Sequence, residues 1–247
     1  MNRWIEGQKV FQGKRIGGSK PPINYLCNLS NKYRYIYMET PKVGCSTIKK
    51  NLHWMELGED HVSSVHDKSA SPLFSPGDSE VNFKKSVKSY FKFSFVRNPY
   101  ARALSCYLDK VRLGRKKRYS EMLGVSEEEA VSFEAFLTRV SHQKTSEMDL
   151  HWIPLSVILT LNNIEYDFVG RFENFENDLI KVIALVCERN NISTPDNGLY
   201  VARNSPHRTD ASSLISEYMT ERSGELIREI YRDDFELFGY SKTNIYG

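Results

Sequence analysis

A chain of 247 residues holding only four cysteines is not a disulfide scaffold. Cys27, Cys45, Cys106 and Cys187 are widely scattered, with no CxxC pair and no zinc-like spacing, which points to four reduced, mostly buried thiols. An excess of one charge is also missing. The 34 Lys and Arg against 31 Asp and Glu leave a net charge of +3, too little for a global basic field aimed at nucleic acid. Long apolar runs are absent: the longest, Val182 to Cys187, falls far short of a bilayer span, and Met1 to Glu6 has no signal-peptide core. There is no internal repeat and no low-complexity tract. The usual GxxxxGK[ST] phosphate loop is lacking too. Gly7 and Gly13-Lys14 are separated by five residues instead of four, and Arg15 stands where a magnesium-binding hydroxyl belongs, so this stretch reads as a polar N-terminal segment.

What remains suits a globular protein with a sizeable core, 40% hydrophobic and 12% aromatic. Strands alternate with helices along the chain, which predicts an α/β fold with a mostly parallel central sheet flanked by helices. Tyr35-Ile36-Tyr37-Met38 reads as a strand, followed by a helix with Ile48, Leu52 and Met55 on one face. Residues 59–89 carry Pro72, Pro76, Gly77 and several serines and read as a long connection with some irregular structure. Phe91 to Val96 is an alternating aromatic strand. Pro99 can open a helix without losing a hydrogen bond, and Tyr100, Ala103, Leu104, Tyr107, Leu108 and Val111 then share a face. Downstream, Ser126 with Glu129 suggests a capping box ahead of the stripe Phe133, Phe136, Leu137 and Val140. A strand at Tyr166 to Val169, a helix carrying Phe175, Leu179, Val182, Ile183 and Val186, and a last helix from Glu225 to Phe235 complete a single expected domain over 1–247, with 1–30 as an N-terminal extension.

Two blocks carry chemistry. Thr40-Pro41-Lys42-Val43-Gly44-Cys45-Ser46-Thr47 lies between the first strand and the first helix. A strand turning through small residues into a helix exposes backbone N–H groups beside the positive end of the helix dipole, and Lys42 adds a full charge, so the loop suits a phosphate-like anion. In the second block, Arg97 follows a strand and Ser105 lies about two helical turns onward. Arg offers a planar fork of donors that fits phosphate, and Ser105 could give a hydroxyl to the same group.

Together the blocks resemble the paired signatures of sulfotransferases that use 3′-phosphoadenosine-5′-phosphosulfate (PAPS), in wording closest to the Golgi carbohydrate enzymes of the HNK-1 and chondroitin 4-O type, sulfotransferase family 2. Pro41 to Ser46 is similar to the 5′-phosphosulfate loop, and Phe95-Val96-Arg97-Asn98-Pro99-Tyr100-Ala101-Arg102 with Ser105 to the 3′-phosphate block. Asp149-Leu150-His151-Trp152-Ile153-Pro154, Tyr166 to Glu173 and Tyr231 to Tyr240 follow in the family's order. The resemblance implies a P-loop-like sulfotransferase fold and transfer of a sulfuryl group from PAPS to a carbohydrate hydroxyl by in-line displacement, releasing adenosine 3′,5′-bisphosphate. It assigns Lys42, Val43, Gly44, Cys45, Ser46 and Thr47 to the 5′ end of the donor and Arg97 and Ser105 to its 3′-phosphate, with Lys42 neutralising the leaving oxygen and no metal required. A late basic loop, Arg203 and Arg208 with Thr209, is the expected third contact, or a surface turn before the next helix.

For the general base, histidine fits because its ordinary pKa lies near neutrality. His151 is favoured by its motif, with Asp149 to orient it, and His61 and His66 in the long connection are the alternatives. Arg112, Arg115, Lys116, Lys117 and Arg118 form a basic run past the Tyr100 helix that would steer an acidic saccharide, with Asp149 and Trp152 as further substrate contacts, or would be a solvated charged loop. The lack of an apolar anchor favours a cytoplasmic enzyme of bacterial type; the Golgi lumen and peripheral membrane association are the alternatives. A uronyl 2-O-type or small-alcohol or phenol sulfotransferase is the nearest variant reading. A nucleotide kinase should show a Lys-Ser/Thr pair in P-loop register and an acidic magnesium ligand, neither of which is evident. A polyanion-binding module without turnover would use the 112–118 run and leave the ordered motifs unexplained.

Overall fold

The computed structural model describes residues 23–58, 64–113, 117–160, 163–194 and 211–246. In chain order the main elements are β1 (Cys27–Ser30), β2 (Tyr35–Met38), α1 (Cys45–Leu57), α2 (Phe83–Ser89), β3 (Phe91–Val96), α3 (Pro99–Tyr107), α4 (Lys117–Leu123), α5 (Phe133–Ser141), α6 (Leu155–Leu159), β4 (Phe168–Arg171), α7 (Phe175–Arg189), α8 (Ala211–Tyr218), α9 (Glu221–Ile230) and α10 (Arg232–Phe238). They fall into two compact units, one of residues 23–96 and 164–194, the other of 97–160, 163 and 211–246.

The first unit holds the sheet, in the order β1-β2-β3-β4. β2, β3 and β4 are parallel, with Tyr37 paired to Phe93 and Val96 to Arg171, and β1 closes one edge antiparallel to β2. This is the mostly parallel α/β sheet that the strand–helix alternation predicts. β3 is buried along its whole length. A parallel strand between two others is covered on both faces, so the polar residues of its aromatic alternation need partners. Ser94 donates to the Met38 carbonyl at 2.8 Å, and Lys92 pairs with Asp167 at 2.9 Å. Asp167 also accepts the Lys92 backbone N–H at 2.8 Å, which places β4 two residues later than the Tyr166–Val169 expected. Gly170 in β4 lies against the Phe95 ring, where any Cβ would overlap ring carbons. β1 is a strand that nothing in Cys27-Asn28-Leu29-Ser30 announces, since two of its four residues are polar; it forms because β2 offers a free edge, and Phe74 bridges it from the other side.

The second unit is helical. α3 is buried on every side, including Arg102 and Ser105, and Asn98 caps it by accepting the Tyr100 N–H at 2.9 Å. Arg102 reaches the His151 carbonyl at 3.3 Å and lies over the Tyr231 ring. Past Tyr107 the helix widens into a π turn at Leu108–Arg112. Two expectations need correction here. α5 is capped by Ser132, which accepts the Ala135 N–H at 3.1 Å, while Ser126 and Glu129 close a backbone turn ahead of it and the Glu129 carboxylate pairs with Arg139 at 3.3 Å. The last helix is two helices, broken at Tyr231, which leaves helical dihedrals as its ring packs against Arg102 and its hydroxyl donates to the Trp152 carbonyl at 2.9 Å. Buried Asp234 then caps α6, accepting the N–H groups of Leu155 and Ser156 at 2.8 and 2.7 Å.

Candidate functional site

The anion loop leaves the carboxyl end of β2. Thr40 ties it to the neighbouring strand by donating to the Phe95 carbonyl at 2.6 Å. Lys42 and Gly44 both take left-handed backbone conformations, with φ of 69° and 74°. A lysine there costs about 1 kcal/mol or more and persists only where the surroundings dictate it. Gly44 has no substitute, since a Cβ would lie 2.7 Å from Phe175 Cε2. The first helical bond of α1 runs from the Ile48 N–H to the Gly44 carbonyl at 3.1 Å, so the N–H groups of Cys45, Ser46 and Thr47 have no acceptor within the helix. The N-cap residue, Gly44, has no side chain with which to satisfy them. The α1 dipole and these N–H groups make the turn chemically suited to an anion, and Lys42 stands within it.

Beneath the loop lies a charge cluster that sequence reading missed. Glu39 and Lys49, both almost fully buried, pair at 2.8 Å. Lys49 Nζ also lies 2.9 Å from His66 Nδ1, and His66 Nε2 lies 2.8 Å from Ser46 Oγ. The available signal was helical spacing: Lys49 sits three residues after Ser46 on the same helix face, but the Lys49-Lys50 pair looks like a solvated edge. Burial pushes the Glu39 carboxyl up, yet the adjacent His66 and Lys49 outweigh it and bring it down to about 2, from an ordinary 4.5. A depressed carboxylate contributes stability that is complete above its unfolded value and fades as the pH falls towards its folded one. The stability gap between wild type and Glu39→Gln, read from urea midpoints, should therefore be constant above about pH 4.5 and shrink between there and about pH 2. A gap that does not change over that window would refute the pairing. The thiol of Cys45 is pushed up to about 12 by burial, then by Glu39, so it is an inert loop residue.

In the other unit, Arg97 immediately follows β3 and is 6% exposed, and Ser105 is buried in α3. His151 forms a dyad with Asp149. The Asp149 side chain is fully buried; its Oδ1 lies 2.5 Å from His151 Nδ1 and accepts the His151 backbone N–H at 3.0 Å. Burial raises the Asp149 carboxyl, but the bonds from His151 and the charges of His151 and Arg118 overcome it and hold the group below its usual range. A carboxylate can only accept, so it fixes the proton on Nδ1 and the lone pair on Nε2 of a neutral ring. Tyr119 stands edge-on to both His151 and Trp152.

The expected substrate contacts fare differently. Trp152 is fully buried, its indole N–H donates to Gln143 at 2.9 Å, and its ring packs edge-on with Phe136 and Tyr119, so it offers no face to a sugar. Asp149 serves His151 and Arg118 instead of an acceptor. Arg118 ion-pairs with Asp149 and Arg112 donates to the Tyr218 hydroxyl, so neither is purely a solvated charge. Lys117 begins α4 and is exposed. Arg115, Lys116, His61, Arg203, Arg208 and Thr209 lie outside the described residues. Among the described residues, no group of three His, Cys, Asp or Glu side chains is arranged to hold a metal ion, and no helix is long and apolar enough to cross a membrane.

A family model described as "Sulfotransferase family" matches residues 27–241, from the first strand to the end of the last helix. The chain belongs to the sulfotransferase family. It is 26% identical over 234 residues to carbohydrate sulfotransferase 14 of Danio rerio, covering 87% of this chain and 62% of the relative. The human protein of that name is 27% identical over 233 residues (88% and 60%), and mouse carbohydrate sulfotransferase 8 is 25% identical over 237 residues (87% and 56%). The chain thus spans about three fifths of the length of these relatives. No solved structure matches it significantly.

Proposed function

We propose that this sulfotransferase moves the sulfuryl group of PAPS to a hydroxyl of a carbohydrate, and that the anion loop holds the 5′-phosphosulfate. The observation that carries this is the loop itself: a 13-residue helix with glycine at its N-cap, entered through left-handed Lys42 and Gly44, so that backbone donors with no acceptor in the helix lie three residues from a lysine. A loop that merely linked a strand to a helix would gain nothing from strained lysine dihedrals.

PAPS, when bound, supplies an activated sulfur whose leaving group is a phosphate oxygen. Lys42 places its ammonium against the charge that builds on that oxygen, and the N–H groups of Cys45, Ser46 and Thr47 hold the neighbouring oxygens. Arg97 and Ser105 take the 3′-phosphate and keep the nucleotide in register. His151, its tautomer set by Asp149, accepts the acceptor's proton at Nε2 as the acceptor oxygen bonds to sulfur and the bond from sulfur to the phosphate oxygen breaks. His66 is the weaker candidate for base, since Lys49 and Ser46 already occupy its two ring nitrogens. Arg203, Arg208 and Thr209 would complete the nucleotide site. The basic run at 112–118 would then favour an acidic saccharide, and the names of the relatives agree with a sugar acceptor. The Golgi lumen is the compartment that accords with this type of enzyme; nothing in the fold favours the cytoplasm.

The test is transfer of labelled sulfate from PAPS to a panel of glycans, simple alcohols and phenols, with and without magnesium. Incorporation into a glycan is the expected result, and His151→Gln should reduce kcat by about 10²-fold or more, within the range of general-base catalysis. Binding of glycans without any transfer would replace this reading with a polyanion-binding module. Transfer to phenols alone would move the acceptor class.

A further inference from the structure

We infer that Lys49, clamped by Glu39, and His66 form a one-way chain of hydrogen bonds that makes the Ser46 hydroxyl a donor to the anion held by the loop. The inference rests on the anion-loop reading above and assigns positioning roles to three residues outside the motif. An ammonium has three donors and no lone pair. At 2.9 Å from His66 Nδ1, Lys49 therefore requires that nitrogen to be unprotonated, because an N–H there would face another donor. Glu39 Oε1 lies farther from Nδ1, at 3.5 Å, and the carboxylate ion-pairs with Lys49 instead, whose Nζ is 2.8 Å from Oε2. Lys49 is also 1% exposed, so it has no aqueous alternative. A neutral imidazole unprotonated at Nδ1 carries its hydrogen on Nε2.

That hydrogen points at Ser46 Oγ, 2.8 Å away. With an oxygen lone pair of Ser46 taken by His66, the serine O–H must be donated elsewhere, and Ser46 stands in the first turn of α1, where the proposed function places the anion. The order of donation is Lys49 to His66 to Ser46 to the anion. Each bond polarises the next, which strengthens the terminal donor. Glu39 is needed at the head of the chain: it holds the ammonium in place and balances its charge away from water. The ring of His66 is 38% exposed and Ser46 is half-buried, while Lys49 and Glu39 at the head of the chain are closed off from water.

Two measurements test this. In ¹⁵N-labelled full-length protein without ligand, the His66 ring nitrogens should show hydrogen on Nε2 and none on Nδ1, and Lys49→Met should allow the other tautomer. In calorimetry with adenosine 3′,5′-bisphosphate, Ser46→Ala and His66→Ala should each weaken binding by about tenfold, the value of one hydrogen bond to a charged group, and the double variant should be no weaker than either alone. His66→Gln, whose amide N–H replaces Nε2–H, should recover most of the loss. An Nδ1–H ring, additive losses, or His66→Gln no better than His66→Ala would each overturn the chain. Failure of the wild type to bind the bisphosphate would instead overturn the donor-site reading, and the ligand-free tautomer measurement tells the two failures apart.

Discussion

Lys42→Ala should lower kcat for sulfate transfer by about 10² to 10³-fold, the range seen when one preorganised donor to a developing oxyanion is removed. The reason is positional. Lys42 is held at φ 69° in the turn itself, so its Cα is fixed beside the α1 N-terminus and the backbone strain is borne before any substrate binds. Alanine in the same left-handed conformation is itself strained, so Lys42→Gly is the better companion variant. Glycine adopts that φ freely and should leave the melting temperature equal to or above that of the wild type while losing as much activity as alanine does. Ground-state binding of adenosine 3′,5′-bisphosphate should fall much less than kcat, because the bridging oxygen carries its extra charge only in the transition state. If Lys42→Gly keeps wild-type turnover, the ammonium has no part in leaving-group stabilisation and the loop's backbone donors act alone.

How far this site could be read from the chain follows the range of the interactions involved. β2, β3, α1 and α3 were legible because local signals agree: alternating aromatics, a proline at the first turn of α3, and apolar residues three and four apart. The strand–turn–helix that carries residues 40–47 was legible for the same reason, since its three parts are contiguous in sequence. The Asp149–His151 pair was legible too, being only two residues apart. What could not be read was made by contacts distant in sequence. Lys49 meets His66 across 17 residues, β1 owes its existence to the free edge of β2, and Trp152 looked like a sugar platform until Gln143 and Tyr119 were seen to enclose it. The same holds for the break at Tyr231: no glycine or proline marks it, because its cause is the Trp152 carbonyl 79 residues away. Local periodicity fixes an element's type; the partner that alters its boundary or occupies its charge is invisible until the fold brings it in.

Arg97→Ala should weaken binding of adenosine 3′,5′-bisphosphate by about 10²-fold or more, as expected for truncating one partner of a buried charge-assisted pair. The argument begins with burial. At 6% exposure the guanidinium is largely desolvated, and a phosphate there meets a donor fork in a medium of lower dielectric than water, where the attraction is stronger than at the surface. A second nucleotide gives the specificity: adenosine 5′-phosphate lacks the 3′ group, so wild type and Arg97→Ala should bind it with similar affinity. Arg97→Lys keeps the charge and loses the fork, and should fall between the two. Ser105→Ala removes a single hydroxyl donor and should cost about tenfold on the bisphosphate alone. Because truncating a buried side chain can also loosen the fold, each variant's thermal melt has to be compared with the wild type, and unchanged affinity for adenosine 5′-phosphate is the stricter control, since a collapsed site would lose both nucleotides. Equal losses on the two ligands would move Arg97 from the 3′-phosphate to the support of α3, and the register of the nucleotide would then have to be set by other cations.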